Sequence, residues 1–317
     1  MSENLPILDP AAGSPPGESG SEAVGDPRTH APDPGSLHQV ALEPDVAHAK
    51  MDALRRRLAP LVREGVLVAF SGGLDSAFLL WAAGQVGEGE GGRVVALTTT
   101  SESTPSRDKE DALAFTRSLG VEHIWRESRE VSIPEYARND LERCYHCKIE
   151  LFRIAGEVAE EVGLRWLLYG YNASDRHDFR PGHRAAEQAG ALTPLADAGL
   201  TKPEIRFLME EAGLPLSGKP ASPCLSSRVM TGIEITPRRL RDVEEMEGIL
   251  RDAGVSTLRV RVCRDDAGRF FLRVEVAPEE MERVLGCGES LHREGTRRGY
   301  RWVTLDLGGY RTGGGVS

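Results

Sequence analysis

The sequence has no apolar run that approaches the roughly 20 residues of a membrane-spanning helix, so it does not predict an integral membrane protein. Its N-terminus, MSENLPILDPAAGSPPGESG, lacks the basic flank and apolar core of a signal peptide. The 317 residues include only five cysteines, at irregular spacing, which favours metal-binding or catalytic thiols over a disulfide framework. We therefore expect a cytoplasmic protein with no membrane association.

The negative charge is concentrated at one end of the chain. Residues 1–47 contain eight acids and one base, so they account for −7 of the net charge of −10, and they also contain eight of the 19 prolines. Such a stretch cannot bury enough apolar surface to offset its ordering entropy, and we expect a disordered tail. From Arg228 onward, the sequence contains 16 arginines and 15 acidic residues, and this near-balance of charge argues against a general nucleic-acid-binding surface.

Residues 48–222 alternate apolar strands with helices. VLVAF, RVVALTTT and LRWLLYGYN have the length and composition of buried strands, whereas AFLLWAAGQVG and SRDKEDALAFTRSLG have helical patterns. This alternation predicts an α/β domain with a mostly parallel sheet that is covered on both faces.

Residues 223–317 change character and predict a smaller α+β domain. TPRRLRDVEEMEGILRDAG is typical of a helix that begins after the N-cap Thr236. STLRVRVCRDDAGRFFLRVEVAP alternates polar and apolar residues about a DDAG turn and indicates a hairpin. We expect one further helix in PEEMERVLGCGESLHREG and a closing strand in YRWVTLDLGGYRTG.

The stretch SGGLDS lies between the first predicted strand and the following helix. Its glycines allow the backbone to approach a ligand closely, and the amides at the start of the helix favour an anion. The stretch lacks the Gly-Lys-Ser/Thr ending of a Walker A motif and is not a GxGxxG loop. In its strand–loop–helix context, it resembles the pyrophosphate loop of the PP-loop ATP pyrophosphatases, which have a Rossmann-like sheet.

That resemblance gives each residue of the loop a role. Ser71, Gly72, Gly73 and Ser76 would hold the pyrophosphate of ATP, and Asp75 would serve the magnesium-bound phosphates. Enzymes of this kind split ATP into AMP and pyrophosphate and adenylate a substrate oxygen to make it a leaving group.

Two cysteines, Cys144 and Cys147, lie three residues apart where a helix is predicted to begin. Helix N-termini lower thiol pKa values and so favour the thiolate that binds metals. The pair is compatible with a zinc site, with an iron–sulfur site or with spectator thiols, and the thioredoxin-like context of a redox pair is missing. Cys224 lies in the loop KPASPCLSSR, beside serines and Arg228, and its surroundings alone leave filler, nucleophile and metal ligand as alternatives.

Five motifs in sequence order carry a more specific resemblance: SGGLDS, RCYHCK, GYNASDRHDFRPG, KPASPCLSSR and YRWVTLDLGGYRTG. From about residue 46 to the end, the chain is similar to the LarE family of ATP-dependent sulfur transferases. These enzymes act in the synthesis of the nickel-pincer nucleotide cofactor of lactate racemase. They adenylate a carboxylate of pyridinium-3,5-dicarboxylate mononucleotide and convert it to a thiocarboxylate.

The resemblance implies a source for the sulfur. Some members give up the sulfur of the cysteine that matches Cys224, whereas others hold a [4Fe–4S] cluster on three cysteines, which here match Cys144, Cys147 and Cys224. The three cysteines favour the cluster type, with sacrifice of Cys224 and a structural zinc as alternatives. Three protein ligands leave one iron open for an exchangeable sulfide, whose donor the sequence does not identify.

The remaining site residues follow from the same resemblance. Gly170 and Asn172 are assigned to the nucleotide, and the substrate-binding residues are Asp175, Asp178, Arg180, Arg228, Arg259 and Arg261. Arg259 and Arg261 alternate along a predicted strand, so they project to the same side, where guanidinium groups suit a phosphate.

Two other functions remain open at this point. A PP-loop tRNA thiolase can also pair a CxxC motif with an iron–sulfur cluster, but it needs a basic surface for tRNA. A zinc-stabilised nucleotide-binding protein without turnover would use the same cysteines structurally. The expected partner is a small nucleotide substrate, and we expect a homo-oligomer.

Overall fold

The computed structural model describes residues 42–177, 181–220 and 222–311. Its larger sheet is parallel, with the strand order β3-β2-β1-β4. The strands are β1 (Val66–Ala69), β2 (Val94–Thr100), β3 (Glu122–Glu127) and β4 (Trp166–Tyr169). The predicted α/β class with a parallel sheet is therefore confirmed.

Helices cover both faces of this sheet. They are α1 (Pro44–Glu64), α2 (Leu74–Glu90), α3 (Ser106–Leu119), α4 (Pro134–Ala137), α5 (Arg143–Val162), α6 (Pro181–Gln188), α7 (Pro194–Asp197) and α8 (Lys202–Glu211). Side chains alternate across β1, so Val66 and Val68 pack in the apolar core formed with α1, α2 and α8. Leu67 points to the opposite face and packs with Ile154 and Val158 of α5. Both faces are covered, as the apolar strands predict.

The central position of β1 fixes where a ligand can bind. Val68 of β1 pairs with Ala96 of β2 on one side and with Leu168 of β4 on the other. Strand β1 is therefore central, with later strands on both sides of it. The connection that follows β1 and the connection that follows β4 diverge at the carboxyl ends of these strands. In open α/β sheets, this reversal creates a crevice that binds ligands.

The smaller sheet follows in sequence and has the order β5-β6-β7. Its elements are α9 (Pro237–Asp252), β5 (Leu258–Arg264), β6 (Phe270–Val276), α10 (Met281–Gly286), α11 (Gly288–Arg297) and β7 (Val303–Leu305). Strands β5 and β6 form the predicted antiparallel hairpin, and the Thr236 hydroxyl caps α9 by accepting from the Arg239 amide.

Three elements differ from the prediction. The single helix expected in PEEMERVLGCGESLHREG is a short 3-10 turn followed by α10 and α11, which separate at Cys287 between two poorly helix-forming glycines. The closing strand is only three residues long and runs parallel to β6. Strand β3, EHIWRE, escaped prediction because it lies at the sheet edge, where its charged ends stay exposed.

The predicted disorder of residues 1–47 and the predicted domain boundaries stay predictions. Helix α1 begins at Pro44, so residues 44–47 of the stretch predicted to be disordered are helical, and residues 1–41 lie outside the described part of the chain. The predicted boundary near residue 222 precedes α9 and the smaller sheet. Of the helices that the structure describes, none has the length and apolar character to cross a membrane.

Replacing Gly170 with alanine tests the crevice. A Cβ atom there would lie 2.9 Å from the amide nitrogen of Ser76 and 3.1 Å from the carbonyl carbon of Asp75, both of which are backbone atoms of α2. We expect Gly170→Ala to displace the start of α2 and to weaken ATP binding by about tenfold, or about 1.4 kcal/mol, in calorimetric titrations.

Gly156→Ala is the matched control, because a Cβ at Gly156 meets no atom within 4 Å. This helical glycine should gain about 0.5–1 kcal/mol of stability without a change in ATP affinity. Equal ATP affinities in the two variants would contradict the placement of the nucleotide in this crevice.

Candidate functional site

The SGGLDS loop is held in shape by its own hydroxyl groups. The Ser71 amide donates to Ser76 Oγ at 3.2 Å, and Ser76 Oγ donates to the Gly73 carbonyl at 3.0 Å. The two serine hydroxyls lie 3.1 Å apart, and Gly72 has a φ of +71°, which suits glycine. Helix α2 begins at Leu74, so its first amides lie at the carboxyl end of β1, where they favour an anion.

A cavity of about 250 Å³ opens at this loop. Six residues of the predicted nucleotide and substrate site line it: Ser71, Gly73, Asp75, Ser76, Gly170 and Asp175. Cys147 and Lys148 of α5 line the same cavity. A thiol and a cation therefore share the space in which the loop would hold phosphates.

Gly72 and Asn172 do not line the cavity, but they contact residues that shape it. The Gly72 carbonyl accepts from Lys219 Nζ at 3.2 Å. Asn172 is fully buried, and its Nδ2 donates to the Asp175 carboxylate at 3.0 Å. Lys202 Nζ reaches the other oxygen of Asp175 at 3.0 Å. The two residues predicted to bind the nucleotide thus shape the loop and orient a carboxylate of the cavity.

Cys144 and Cys147 lie in the first turns of α5 and have different surroundings. Cys144 is exposed, whereas Cys147 is half-buried and also packs against the apolar core of the smaller sheet. Burial, together with the negative charges of Cys224, Glu130 and Cys144, raises the pKa of Cys147 to about 12 despite the lowering effect of Lys148. The expectation that the helix N-terminus favours the thiolate is wrong for Cys147, because desolvation outweighs the helix dipole.

Cys224 immediately precedes a 3-10 turn, Leu225–Arg228. The Leu225 amide donates to the Ser103 carbonyl at 2.8 Å, which ties the loop to the connection after β2. The Cys224 carbonyl accepts from Ser227 Oγ at 2.8 Å and from Arg228 Nη1 at 3.0 Å. The backbone of this cysteine is therefore fixed on both sides, while its thiol is half-buried.

The fold brings the Cys224 loop to the start of α5. Arg143 Nη1 donates to the Ser226 carbonyl at 3.1 Å, and Arg143 Nη2 lies 3.9 Å from Cys144 Sγ. The Tyr136 hydroxyl lies 2.6 Å from Ser226 Oγ. Burial raises the pKa of Tyr136, and the charges of Cys224 and Cys147 raise it further, so both thiols lie within electrostatic range of this hydroxyl.

The three predicted cluster ligands interact electrostatically, since the charges of Cys224 and Cys144 both act on Cys147, and their binding of one cluster stays a prediction. Among the described residues, no group of three His, Cys, Asp or Glu side chains is arranged to hold a single metal ion. In a cubane cluster, each thiolate binds a different iron, so such ligands need not converge on one point.

The three candidate phosphate-binding arginines lie beside the Cys224 loop. Arg228 is buried with Glu247, at 3.0 Å from Nε to Oε1. Arg261 is buried too; it pairs with Glu275 at 2.7 Å and donates to the Ser227 carbonyl at 3.0 Å. Arg228 and Arg261 therefore hold the loop itself, and a contact of either with a substrate phosphate stays a prediction.

Arg259 has a different environment from the other two arginines. Its guanidinium lies 5.2 Å from the centre of the Tyr310 ring. Burial lowers the pKa of Arg259, and the positive charges of Arg228 and Arg261 lower it further. Arg259 therefore lies within electrostatic range of Arg228 and Arg261, whose own charges are paired with Glu247 and Glu275. Asp178 and Arg180, the remaining substrate-binding predictions, lie outside the described residues.

Two lysines of the site escaped the sequence analysis. Lys148 lies with its Nζ 5.0 Å from the centre of the Tyr169 ring. Burial tends to lower the pKa of Lys148, but the negative charges of Tyr169 and of Cys147, Cys144 and Cys224 raise it overall. Lys219 joins the Gly72 carbonyl to Asp108 and Asp111 of α3, at 2.9 and 2.8 Å. Their only sequence signal is their place inside the RCYHCK and GKPASPC motifs.

The chain is similar in sequence to several known proteins. A protein of Synechocystis named as uncharacterized is 36% identical over 268 residues, which cover 84% of this chain and 96% of that protein. A pyridinium-3,5-bisthiocarboxylic acid mononucleotide synthase of Lactiplantibacillus plantarum is 32% identical over 248 residues, covering 78% and 87%. An NH₃-dependent NAD⁺ synthetase of Aeropyrum pernix is 30% identical over 198 residues, covering 57% and 65%. No family model matches the chain.

Removing Arg228 tests whether this arginine holds the loop. Arg228→Ala removes one of the two ion-pair partners of buried Glu247, leaving Arg251 and the Val260 amide, and it takes one donor away from the Cys224 carbonyl. We expect a loss of about 3 kcal/mol in the free energy of unfolding, measured with urea. Arg264→Ala, at an exposed position of β5, should change it by less than about 0.5 kcal/mol. Equal stabilities of the two variants would contradict a structural role.

The raised pKa of Cys147 predicts slow alkylation of the metal-free protein. A pKa near 12 instead of 9.0 leaves roughly 10³-fold less thiolate at pH 8. In a Cys144→Ser background, the rate of Cys147 alkylation by iodoacetamide should still climb at pH 10. Peptide mapping by mass spectrometry measures this rate. A plateau above pH 9 would show that Cys147 has the pKa of an ordinary thiol.

Proposed function

This chain belongs to the LarE family of ATP-dependent sulfur transferases, and from that premise we propose that it converts a nucleotide carboxylate to a thiocarboxylate. The proposed substrate is pyridinium-3,5-dicarboxylate mononucleotide, the dicarboxylate that corresponds to the product named for the Lactiplantibacillus relative. The observation that carries the proposal is that Cys147 lines the same cavity as the SGGLDS loop. Sulfur chemistry and nucleotide chemistry then occur in one place.

The first half of the proposed reaction is adenylation. A carboxylate oxygen of the substrate attacks the α-phosphorus of ATP, and the bond to the bridging oxygen breaks, so that pyrophosphate leaves. The amides of the SGGLDS loop and the N-terminus of α2 would hold the departing pyrophosphate. Its negative charge is of the sign that this end of the helix stabilises.

The cavity also fits the magnesium ion that accompanies ATP. Asp75 and Asp175 both line the cavity, and carboxylate oxygens are the ligands that Mg²⁺ prefers. Asp175 is oriented by Asn172 and Lys202, so its position is fixed before any ligand arrives. We propose that these carboxylates hold magnesium against the phosphates.

The second half is sulfur transfer, in which a sulfur nucleophile attacks the acyl carbon and AMP leaves. We propose that Cys144, Cys147 and Cys224 hold a [4Fe–4S] cluster, because three thiols beside Arg143 and Lys148 form a suitable donor set for an anionic cluster. When bound, such a cluster would supply an exchangeable sulfide on the iron that lacks a protein ligand. Burial disfavours the free thiolate of Cys147, and iron would offset that cost.

The substrate phosphate would lie next to the smaller sheet. Two of the three candidate arginines, Arg228 and Arg261, form buried ion pairs with Glu247 and Glu275, whereas the Arg259 guanidinium lies 5.2 Å from the centre of the Tyr310 ring. We propose that Arg259 contacts the phosphate while Arg228 and Arg261 hold the loop. Asp178 and Arg180 are retained as substrate-binding residues on the family resemblance alone.

Separating the two half-reactions tests the proposal. In the anaerobic, iron-reconstituted full-length chain, Cys144→Ser, Cys147→Ser and Cys224→Ser should each lower thiocarboxylate formation by more than roughly 100-fold. Exchange of labelled pyrophosphate into ATP should persist in all three, because the SGGLDS loop is unchanged. Cys287→Ser, at the break between α10 and α11, is the control and should retain both activities.

Mass spectrometry of the protein after turnover identifies the sulfur source. Repeated turnover with Cys224 intact would support the cluster, whereas a chain lighter by the mass of H₂S after one turnover would show sacrifice of Cys224. Thiolation of tRNA in place of the small nucleotide would contradict the proposed function. Zinc without iron, and no turnover, would do the same.

The remaining proposals concern the state of the protein in the cell. We propose a cytoplasmic homo-oligomer that acts on a small nucleotide and on no nucleic acid. Sedimentation of the full-length chain measures the oligomeric state directly, and a monomer at micromolar concentration would contradict it.

A further inference from the structure

The connection between α4 and α5 contains a buried side chain in an unusual backbone conformation. Asn139 is fully buried and is the one non-glycine residue of the described chain with a positive φ, 57°. Asparagine tolerates this left-handed region better than most residues, because its side chain is short and polar. A residue that is buried in this conformation is held there by its contacts.

Four of those contacts reach the segment that follows Cys224. Asn139 Nδ2 donates to the carbonyls of Val229, Met230 and Ile233 at 3.0, 2.9 and 2.9 Å. The Asn139 carbonyl accepts from the Gly232 amide at 3.0 Å. One residue thus fixes the start of α5 against a turn of the chain from a distant part of the sequence.

Arg143 extends this contact to the thiols. Its Nη1 donates to Asn139 Oδ1 at 2.7 Å and to the Ser226 carbonyl at 3.1 Å, and these two partners belong to different segments. Arg143 directly precedes Cys144, and Ser226 lies two residues after Cys224. A single guanidinium group therefore joins two thiol-bearing segments whose linked residues are 83 positions apart.

We propose that Asn139 and Arg143 are positioning residues that set the separation between the CxxC turn of α5 and the Cys224 loop. The inference deepens the proposed function and rests on it, because the separation matters only if the three thiols act together. Neither residue needs to touch substrate or nucleotide for this role.

The chemistry of the Arg143 side chain suits this positioning role. A guanidinium is planar and presents several donors at fixed angles, so Arg143 can satisfy two acceptors with one orientation. A lysine at this position would keep the charge but could not reproduce that planar geometry. A glutamine would lose both the charge and the reach.

Thiol bridging measures the separation without ATP, substrate or metal. The probe is dibromobimane, whose two arms must each alkylate a thiol, applied anaerobically to the full-length, metal-free chain in a Cys144→Ser background. Mass mapping identifies the Cys147–Cys224 cross-link. Monobromobimane, which needs only one thiol, gives the intrinsic reactivity of each cysteine, and the ratio of bridging to single alkylation reports spacing alone.

We expect Arg143→Gln to lower this ratio about tenfold, a factor that corresponds to about 1.4 kcal/mol. Arg143→Lys should give an intermediate ratio. Arg138→Gln is the matched control, because Arg138 lies in the same connection and pairs with exposed Asp140 at 3.6 Å. It should leave the ratio unchanged.

Asn139→Gly provides a second route, since glycine keeps the left-handed backbone while losing every side-chain bond. Circular dichroism verifies that each variant is folded. A wild-type ratio in folded Arg143→Gln and Asn139→Gly would overturn the proposal, as would equal losses of bridging and single alkylation. If the variants lower the bridging ratio as expected but the wild-type chain transfers no sulfur, the proposed function is rejected and the positioning role is not.

Discussion

The position of strand β1 between β2 and β4 is the constraint on which the site depends. Because β2 and β4 lie on opposite sides of β1, the connections that follow β1 and β4 diverge and leave a crevice at the carboxyl ends of these two strands. The SGGLDS loop follows β1, and Gly170 follows β4, so both lie at this opening. A side chain at Gly170 would collide with the backbone of Ser76, which shows how closely the two connections approach.

Helix α5 brings a thiol and a cation to that opening. Its first turns place Cys147 and Lys148 on the cavity, and the same Cys147 packs against the apolar core of the smaller sheet. The Cys224 loop is attached to this sheet through the contact of Arg261 with the Ser227 carbonyl. Apolar packing joins the two thiol segments as well, because Leu225 and Val229 belong to the same core that Cys147 packs against.

The sequence predicts the features that depend on local chemistry. Apolar strand composition and the glycine loop identify the parallel sheet and the turn that follows β1, because each depends on only a few neighbouring residues. Strand β3 gave no such signal, since it lies at the sheet edge and has charged residues at both ends. The contacts that join the Cys224 loop to the start of α5, made by Asn139 and Arg143, span more than 80 residues of sequence. No local pattern reveals contacts of that range. The same limit applies to Arg228, which the motif suggests for a ligand and the fold pairs with Glu247.

The central claim is that three cysteines and the nucleotide loop form one site. Anomalous diffraction at the iron edge, from anaerobic crystals of the reconstituted chain with a non-hydrolysable ATP analogue, tests it most directly. The account predicts iron bound by Cys144, Cys147 and Cys224 beside the analogue's phosphates at the SGGLDS loop. A zinc signal with a fourth protein ligand, or iron remote from the nucleotide, would contradict it.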